Sequence, residues 1–497
     1  MKKAIITSCF ALFFLVSCKN SFLELPSQTS LSTTTFFKTE SDFVQGVNAA
    51  YAPLRALYNG STNNPNQGAW VMGEMHSDNT TFILNPGYRA TIDQEQAASF
   101  SVEAPNAVST AKYVTDYQII ARANQVLASI DKVDFAAATK SNLKGQAYFL
   151  RAFAYFDLVQ YFGKVPLHLT PVTTRAEASL PLSEVTAIYI QITQDWVEAA
   201  KVLPVKSKQE AGRATQGAAN ALLANVYIVQ KKWAEAETLL NGIVSSNEYE
   251  LLADYAAPFA TANKNNKESV FEVQFKEGTD GYASAWAYQW LPMPITAAQV
   301  ATISGAANAQ ALTTEGYNIP TPDMVAAYET KDKRKDISIA TVTVASGTYP
   351  YIKKFWQPHA QAGIMGNNWP VYRYAEVLLF LAEVQNELNK TANAATTLNL
   401  IRTRAGLPAT TAATQTALRD AIMQERRVEL AFENKRWTDL VRTGTAVSVI
   451  TAYGTKVKAN PQTYYYPAGL KPNTSDFAKV DLVFPLPASE SLLSAFF

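Results

Sequence analysis

The residues best suited to binding chemistry lie in a short aromatic segment, YASAWAYQW, at positions 282–290. Within it Trp286, Tyr288 and Trp290 alternate along the chain, so an extended backbone would place all three rings on one face. Such a face can stack against the apolar C–H surface of a sugar ring, while neighbouring polar groups bind the hydroxyls. The same alternation is equally typical of a strand that faces the core, and the pattern alone does not separate the two interpretations.

Other aromatic residues in loop-like regions could join this segment in one binding face. Residues 60–110 and 255–370 are rich in Gly, Pro, Asn and Thr, and we expect them to form long ordered loops. Loops of this length in a compact protein usually carry function. The candidate ligand-binding residues in these regions, in addition to the three above, are Trp70, Tyr88, Trp356 and Trp369.

Residue patterns that support catalysis, cofactor binding or metal binding are missing from the sequence. The histidines, His76, His168 and His359, are far apart, and no metal-ligand spacing such as HExxH or CxxC occurs. The chain contains no phosphate-binding P-loop motif, no GxGxxG fingerprint and no GxSxG elbow. Spacing along the chain cannot show whether two carboxylates face each other as in a glycosidase. We therefore expect a binding protein rather than an enzyme, with no catalytic residue, cofactor or metal.

A densely charged run near the C-terminal end, QERRVELAFENKRWTDLVR at positions 424–442, has two interpretations. Its arginines could form a surface that binds an anionic ligand. Alternatively, Glu425, Arg426 and Glu429 could belong to paired, partly buried ion networks that fix the position of the next helix. We favour the second interpretation, in which these charges serve the architecture.

Helical periodicity dominates the rest of the chain. Apolar residues recur at i, i+3, i+4 and i+7 in long stretches near 40–57, 112–130, 141–162, 184–202, 215–231, 233–246, 371–389, 391–405 and 415–442. The clearest strand-like run is SVFEVQF at residues 269–275. The sequence therefore predicts a mainly α-helical fold with few short strands and long irregular loops.

A weak internal repeat links two helical pairs within this scaffold. Four positions of the first pair recur at identical mutual offsets in the second. They are Ala224, Ala236, Leu240 and Ile243 in the first pair, and Ala382, Ala394, Leu398 and Ile401 in the second. Small residues where two helices cross, with larger ones beside them, are typical of tetratricopeptide-like packing.

The N-terminus predicts export and lipid anchoring. Residues 1–17 fit a secretory signal peptide, because Lys2 and Lys3 precede an apolar stretch that is too short to span a membrane. The sequence LVSC that ends at Cys18 fits a bacterial lipobox, so we expect Cys18 to be lipidated. Residues 18–35 then form a polar tether, and residues 36–497 a single globular domain. Cys9 lies in the removed segment, so the mature chain cannot form an internal disulfide.

The composition and net charge of the chain indicate what kind of partner it binds. Of the 497 residues, 48% are hydrophobic and 17% are charged, which is typical of a globular protein rather than a disordered one. The formal net charge is +1 and no polybasic segment occurs. Nucleic acid is therefore a poor candidate partner.

Several longer motifs, in order along the chain, carry a resemblance to a known family. They are FLELP at 22–26, ARAN at 121–124, RAFAYFDLVQYFGKVPL at 151–167, GRAT at 212–215, YRYAEVLL at 372–379, LNLIRTRAG at 398–406 and ERRVELAFENKRWTDLVRTG from 425. The sequence is similar to the SusD/RagB-type outer-membrane nutrient-binding lipoproteins over nearly the whole mature chain. The ending departs from that family, because FPLP at 484–487 resembles its terminal segment but the Asn-Pro-Gly-like tail is absent.

The resemblance implies a tetratricopeptide-like scaffold with a loop-rich ligand face, in an N-terminal part to about residue 230 and a C-terminal SusD/RagB part from about residue 270. It implies a non-catalytic lipoprotein of the outer membrane that faces the outside of the cell and binds oligosaccharide or polysaccharide. Its partner would be a SusC-like TonB-dependent transporter that imports the glycan. Capture of peptides for import by the same kind of complex is the alternative. A surface glycoside hydrolase and a purely structural lipoprotein are further hypotheses.

Overall fold

The computed structural model describes residues 36–60, 68–87, 92–313, 316–493 and residue 496. The signal peptide, Cys18, the tether up to residue 35, and Tyr88 lie outside these residues. Helices dominate the described chain, which confirms the predicted mainly α fold. No helix in these ranges is both long enough and apolar enough to cross a membrane.

Long helices that pack side by side build the N-terminal part. They are α1 (Glu40–Asn59), α2 (Asp93–Ser99), α3 (Ala107–Ser129), α4 (Ala137–Phe162), α5 (Arg175–Ala178), α6 (Val185–Val202), α7 (Gln216–Val229) and α8 (Trp233–Ser245). A capping box begins α1, since the Thr39 hydroxyl accepts the N–H of Asp42 and the Asp42 carboxylate accepts the N–H of Thr39. Gly163, with a φ of 69°, ends α4.

The C-terminal part mixes short helices with a second set of long ones. They are α9 (Trp286–Gln289), α10 (Ala297–Ser304), α11 (Pro322–Ala327), α12 (Arg334–Ser338), α13 (Tyr374–Glu387), α14 (Thr391–Arg404), α15 (Gln415–Glu429), α16 (Arg436–Arg442), α17 (Ala446–Ala459) and α18 (Ala488–Leu493). The single helical stretch predicted at 415–442 is two helices, because Phe432 and Asn434 take left-handed φ values of 68° and 65°. The sequence analysis missed α17, in which several Val, Ile and Thr residues weaken the helical signal.

The internal repeat corresponds to two helical hairpins, α7–α8 and α13–α14. All eight repeat residues are buried, with at most 2% of their surface exposed. Ala224 and Ala382 are the first small residue of each set, on α7 and α13, and helices α8 and α13 contact each other. The two hairpins therefore form one continuous helical scaffold, as the tetratricopeptide-like pattern predicted.

In the described ranges, six short strands form antiparallel pairs: β1 (Thr80–Ile83) with β3 (Gly316–Pro320), β2 (Ser269–Val273) with β6 (Trp369–Arg373), and β4 (Ile339–Val344) with β5 (Gly347–Ile352). Strand β2 confirms the predicted run at 269–275. Strand β6 occupies the start of the helix predicted at 371–389, which begins at Tyr374 instead. Residues 60–110 and 255–370 are not continuous loops, because short helices and strands interrupt them. Elements of four to eight residues are too short to show a clear period.

A large apolar core joins the two parts of the chain. The ring of Phe149 on α4 lies 4.9 Å from that of Phe271 on β2. A smaller apolar cluster around Phe43 and Val126 lies between α1, α3 and α4. The two sets of helices thus share one interior, against which the connecting segments pack.

Candidate functional site

The aromatic segment at 282–290 is not an extended strand. Its residues Trp286–Gln289 form a single helical turn, α9. In a helical turn, residues two apart point in different directions, so Trp286, Tyr288 and Trp290 do not share a face as the alternation predicted. The sequence-based prediction of one flat aromatic face is therefore wrong for this segment.

Four of the predicted ligand-binding residues, Trp70, Trp286, Trp290 and Trp369, are 0% exposed. The rings of Trp286 and Trp369 lie 5.2 Å apart, and those of Trp70 and Trp290 lie 5.7 Å apart. We call these four residues the tryptophan cluster. Since large aromatic rings contribute strongly to a folded core, packing in the interior explains these four residues without any ligand. All four residues therefore belong to the core and not to a platform that binds sugar rings.

Tyr288 and Trp356 belong to a separate aromatic group beside His359. The Tyr288 hydroxyl lies 2.6 Å from Nε2 of His359, and the Trp356 ring lies 4.9 Å from that of Tyr288. Only 5% of Tyr288 and 9% of Trp356 is exposed. These two rings cover each other, so the structure contradicts their predicted role in an open platform as well.

Tyr282 is the exposed aromatic residue of the segment, with 47% of its surface accessible. It lies beside a groove of about 490 Å³, which we call the loop groove. This volume falls in the range typical of small-ligand sites. The groove is lined by Ala52, Arg55, Ala56, Asn59, Gly60, Phe275, Gly278, Thr279, Gly281, Ala283, Ala285, Gly363 and Ile364.

Two side chains near the end of α1 organise the loop groove. Arg55 and Asn59 lie one turn apart on the same side of that helix. The Arg55 guanidinium lies 4.8 Å from the centre of the Tyr282 ring, a cation–π contact. The Asn59 side-chain oxygen accepts the N–H of Ala285 at 2.6 Å and so ties the segment before α9 to α1. Helix α1 therefore holds the exposed ring at the edge of the groove.

The tryptophan cluster lies directly beneath this arrangement. Phe275 lines the loop groove, and its ring lies 5.1 Å from that of Trp286. Ala285, another lining residue, is covalently joined to Trp286. The buried indoles therefore support the groove, while Tyr282, the amide of Asn59 and the hydroxyl of Thr279 supply groups that a ligand can contact.

A second groove, of about 580 Å³, lies between the two helical hairpins and helices α15 to α17, and is called the scaffold groove below. Trp233, at the start of α8, is half-buried and lines it. Many of its charged lining residues pair with each other: Arg419 with Glu387 at 2.6 Å, and Arg442 with Glu383 at 2.5 Å. The two grooves share no lining residue.

The charged run at 424–442 contributes an interior ion network. Glu429 is 0% exposed and pairs with Arg334, Arg373 and Arg404. Burial raises the pKa of Glu429, but the three guanidinium charges outweigh this effect and hold the pKa well below its usual range. The network joins α12, β6, α14 and α15, which confirms the architectural interpretation of the run.

Neither groove contains an arrangement typical of a metal centre. Among the residues that the structure describes, no three His, Cys, Asp or Glu side chains converge in a way that could hold a metal ion. The groups that the loop groove offers are an aromatic face, one guanidinium, and neutral amide and hydroxyl groups. Such groups can bind and orient a polar ring-shaped ligand.

The sequence analysis missed Arg55 and Asn59 altogether. Their spacing of four residues near a predicted helix end is a weak signal, because many surface helices show it. Tyr282 was in the selected segment but not among the selected residues. Its neighbours Gly281 and Ala283 are small, and Gly281 has a φ of 83°, which is the local signal of a turn that exposes the ring between them.

Two family models match the chain in its two parts. One, described as "Starch-binding associating with outer membrane", matches residues 21–228. The other, described as the SusD family, matches residues 338–493, which include the second helical hairpin and, from the interior ion network, Arg373, Arg404 and Glu429. The chain belongs to the SusD family. This agrees with the resemblance carried by the sequence motifs.

Similar proteins span almost the whole length of this SusD-family chain. The SusD-like protein P25 of Formosa agariphila is 27% identical over 90% of both chains. A SusD-like carbohydrate-binding protein from Bacteroides fragilis has a TM-score of 0.75 at 24% identity, covering 93% of this chain and 99% of its own. A structure described as a laminarin-binding SusD-like protein has a TM-score of 0.72 at 24% identity, covering 92% and 98%. At this identity, the two structures establish the shared fold.

Proposed function

We propose that this SusD-family chain is a non-catalytic surface protein that binds glycans in the loop groove. The observation that carries the proposal is the Tyr282 ring, which stands exposed at the edge of a groove of about 490 Å³ and is braced by Arg55. A fixed, flat ring can stack on the C–H face of a sugar with little loss of conformational entropy on binding. Asn59 and Thr279 also line the groove, and their amide and hydroxyl groups can form hydrogen bonds to sugar hydroxyls.

The comparisons support this choice of ligand class. The family model that matches residues 21–228 is described as starch-binding, and one solved relative is described as laminarin-binding. Both ligands are polysaccharides, whereas neither description refers to a peptide. A glycan is therefore the ligand class that agrees with both the groove and the relatives.

Anchoring and delivery form the second half of the proposal. Residues 1–17 would be removed, Cys18 would carry lipid in the outer membrane, and the tether up to residue 35 would let the globular domain face the cell exterior. Multiple acyl chains hold such an anchor stably, since a single chain binds a membrane only marginally. The bound glycan would then pass to a SusC-like TonB-dependent transporter. Recovery of a transporter with the full-length lipoprotein from gently solubilised outer membranes tests this step, and its absence after crosslinking contradicts it.

Glycan binding is tested by titration calorimetry of the mature chain carrying Cys18→Ser, against a panel of neutral and acidic oligosaccharides and a matched panel of peptides. We expect binding of at least one oligosaccharide, no peptide binding, and no change in the glycan after prolonged incubation. Peptide binding without glycan binding would establish the alternative of peptide capture. Release of shorter glycans would establish a hydrolase.

A further inference from the structure

Arg55 carries a positive charge that no carboxylate neutralises within the part of the chain that the structure describes. Every arginine described after residue 330 has a carboxylate partner, whereas Arg122 in the N-terminal part donates to the backbone carbonyl of Ala49. Arg55 instead stacks on Tyr282 while half-buried in the groove wall. Its charge is therefore available to a ligand in the loop groove.

The remaining lining of the loop groove does not oppose an anion. Among the lining residues, Arg55 is charged and none is acidic. The nearest acidic side chains in the same segment are engaged elsewhere, because Asp280 pairs with Lys276 at 2.7 Å and Glu277 accepts the N–H of Ala360 at 2.7 Å. An acidic group entering the groove would thus meet a net positive wall.

The stacked geometry suits recognition of a planar or tetrahedral anion. The Arg55 guanidinium lies over the Tyr282 ring and carries several N–H donors in one plane. Those N–H groups can bind two oxygens of a carboxylate or a sulfate at once. The face of Tyr282 that Arg55 does not cover can stack on the sugar that carries the anion.

We propose that the loop groove selects glycans that carry an acidic substituent, a uronate carboxylate or a sulfate ester, and that Arg55 binds this group while Tyr282 stacks on the same or the adjacent sugar. This inference rests on glycan binding in the loop groove. It adds a specificity-determining residue and a substrate class, both of which can fail while glycan binding itself stands.

The test compares matched glycans that differ in the acidic group alone. The probes are an oligogalacturonate and its carboxyl-reduced form, a sulfated carrageenan oligosaccharide and its desulfated form, and a neutral laminarin oligosaccharide. Each is titrated against the mature Cys18→Ser chain and against the same chain with Arg55→Gln or Arg55→Lys. The matched control is Lys208→Gln, which removes an exposed cation that lies outside the groove lining and has no carboxylate partner among the described residues.

We expect at least one acidic probe to bind ten times or more tightly than its neutral form. Arg55→Gln should lower that affinity at least tenfold and leave any affinity for the neutral form within twofold. Arg55→Lys should recover part of the loss, and Lys208→Gln should change little. Which of the two acidic probes binds distinguishes a carboxylate from a sulfate ester. Added salt should weaken binding of the acidic probe to the unaltered chain far more than to Arg55→Gln.

Three results would overturn the inference. If an acidic probe and its neutral form bind with equal affinity, the groove does not select acidic glycans, although the chain still binds glycan. Equal loss of acidic and neutral binding in Arg55→Gln, with unchanged melting temperature, reduces Arg55 to a support for Tyr282. Failure of every probe to bind contradicts both this inference and glycan binding by the chain.

Discussion

Replacing Trp286 by alanine separates a core role from a ligand-contact role for the tryptophan cluster. Trp286 has no exposed surface and contacts the rings of Phe275, Trp290, Phe355 and Trp369 at centroid distances between 5.1 and 6.5 Å. Removal of a buried tryptophan costs about 3–5 kcal/mol, and the loss is largest where neighbours cannot collapse into the space. Four rings held by their own contacts cannot all move inward, so we expect the upper half of that range.

The assay is guanidinium unfolding followed by far-ultraviolet circular dichroism, which reports the helices and is insensitive to the loss of one indole fluorophore. The matched control is Tyr282→Ala in the same segment, where the ring is 47% exposed. That change loses a partly exposed cation–π contact and should lower the free energy of unfolding by less than about 1 kcal/mol. Glycan affinity should respond in the opposite order, with the larger loss in Tyr282→Ala. A stable Trp286→Ala variant that no longer binds glycan would refute the assignment of this indole to the core.

Four further changes test other parts of the structure. Arg373→Met leaves three buried carboxylates without this partner and should lower the free energy of unfolding by about 3–5 kcal/mol in urea titrations. Burial raises the pKa of Glu74 from 4.5 to about 7, so the folded state should lose about 2.5 kcal/mol relative to Glu74→Gln between pH 5 and pH 8, measured by unfolding at both pH values. Ala382→Leu overfills the α13–α14 crossing and should cost about 1–3 kcal/mol by thermal unfolding. Cys18→Ser should abolish labelling by radioactive palmitate and release the protein from the membrane, with glycan affinity unchanged.

The first three of these tests have a matched control or a stated contrary outcome. Lys164→Met removes an exposed ion pair with Glu184 and should cost less than about 1 kcal/mol, so an equal loss in Arg373→Met would contradict the buried network. The Glu74 difference has a fixed sign, because a carboxyl group with a raised pKa in the folded state loses stability as the pH rises from 4.5 to about 7. A stability difference between the unaltered chain and Glu74→Gln that stays the same from pH 5 to pH 8 would refute the burial argument. Leu400→Ala, at an exposed position of α14, is the neutral control for the crossing.

The helical scaffold could be predicted from the sequence because long helices repeat their apolar positions over several turns. Ala224 and Ala382 even marked equivalent positions of the two hairpins. The short strands could not be predicted with the same ease. Strand β6 is buried at every position, so it shows no alternation and runs without a break into the apolar pattern of α13.

The candidate site was predicted in its location but not in its residues. The segment at 282–290 does border the loop groove, yet the residues chosen from it were the tryptophans. A tryptophan offers the same sequence signal whether it stacks on a sugar or fills a core, and the number of rings that meet at Trp286 depends on contacts with β6 and with the segment after β5. Arg55 reaches the groove from α1, more than two hundred residues away along the chain. Such a pairing becomes visible when the tertiary structure is known.

Affinity electrophoresis tests the central claim, that glycan binds in the loop groove, most directly. The mature Cys18→Ser chain, its Tyr282→Ala variant and its Trp233→Ala variant are run in gels that contain a polysaccharide bound by the unaltered chain. Trp233 is the partly exposed ring of the scaffold groove, so its variant is the control for binding at the other large groove. The account predicts that Trp233→Ala is retarded as strongly as the unaltered chain, while Tyr282→Ala migrates as it does in a gel without polysaccharide. Normal retardation of Tyr282→Ala together with free migration of Trp233→Ala would place the glycan on the helical scaffold and contradict the account.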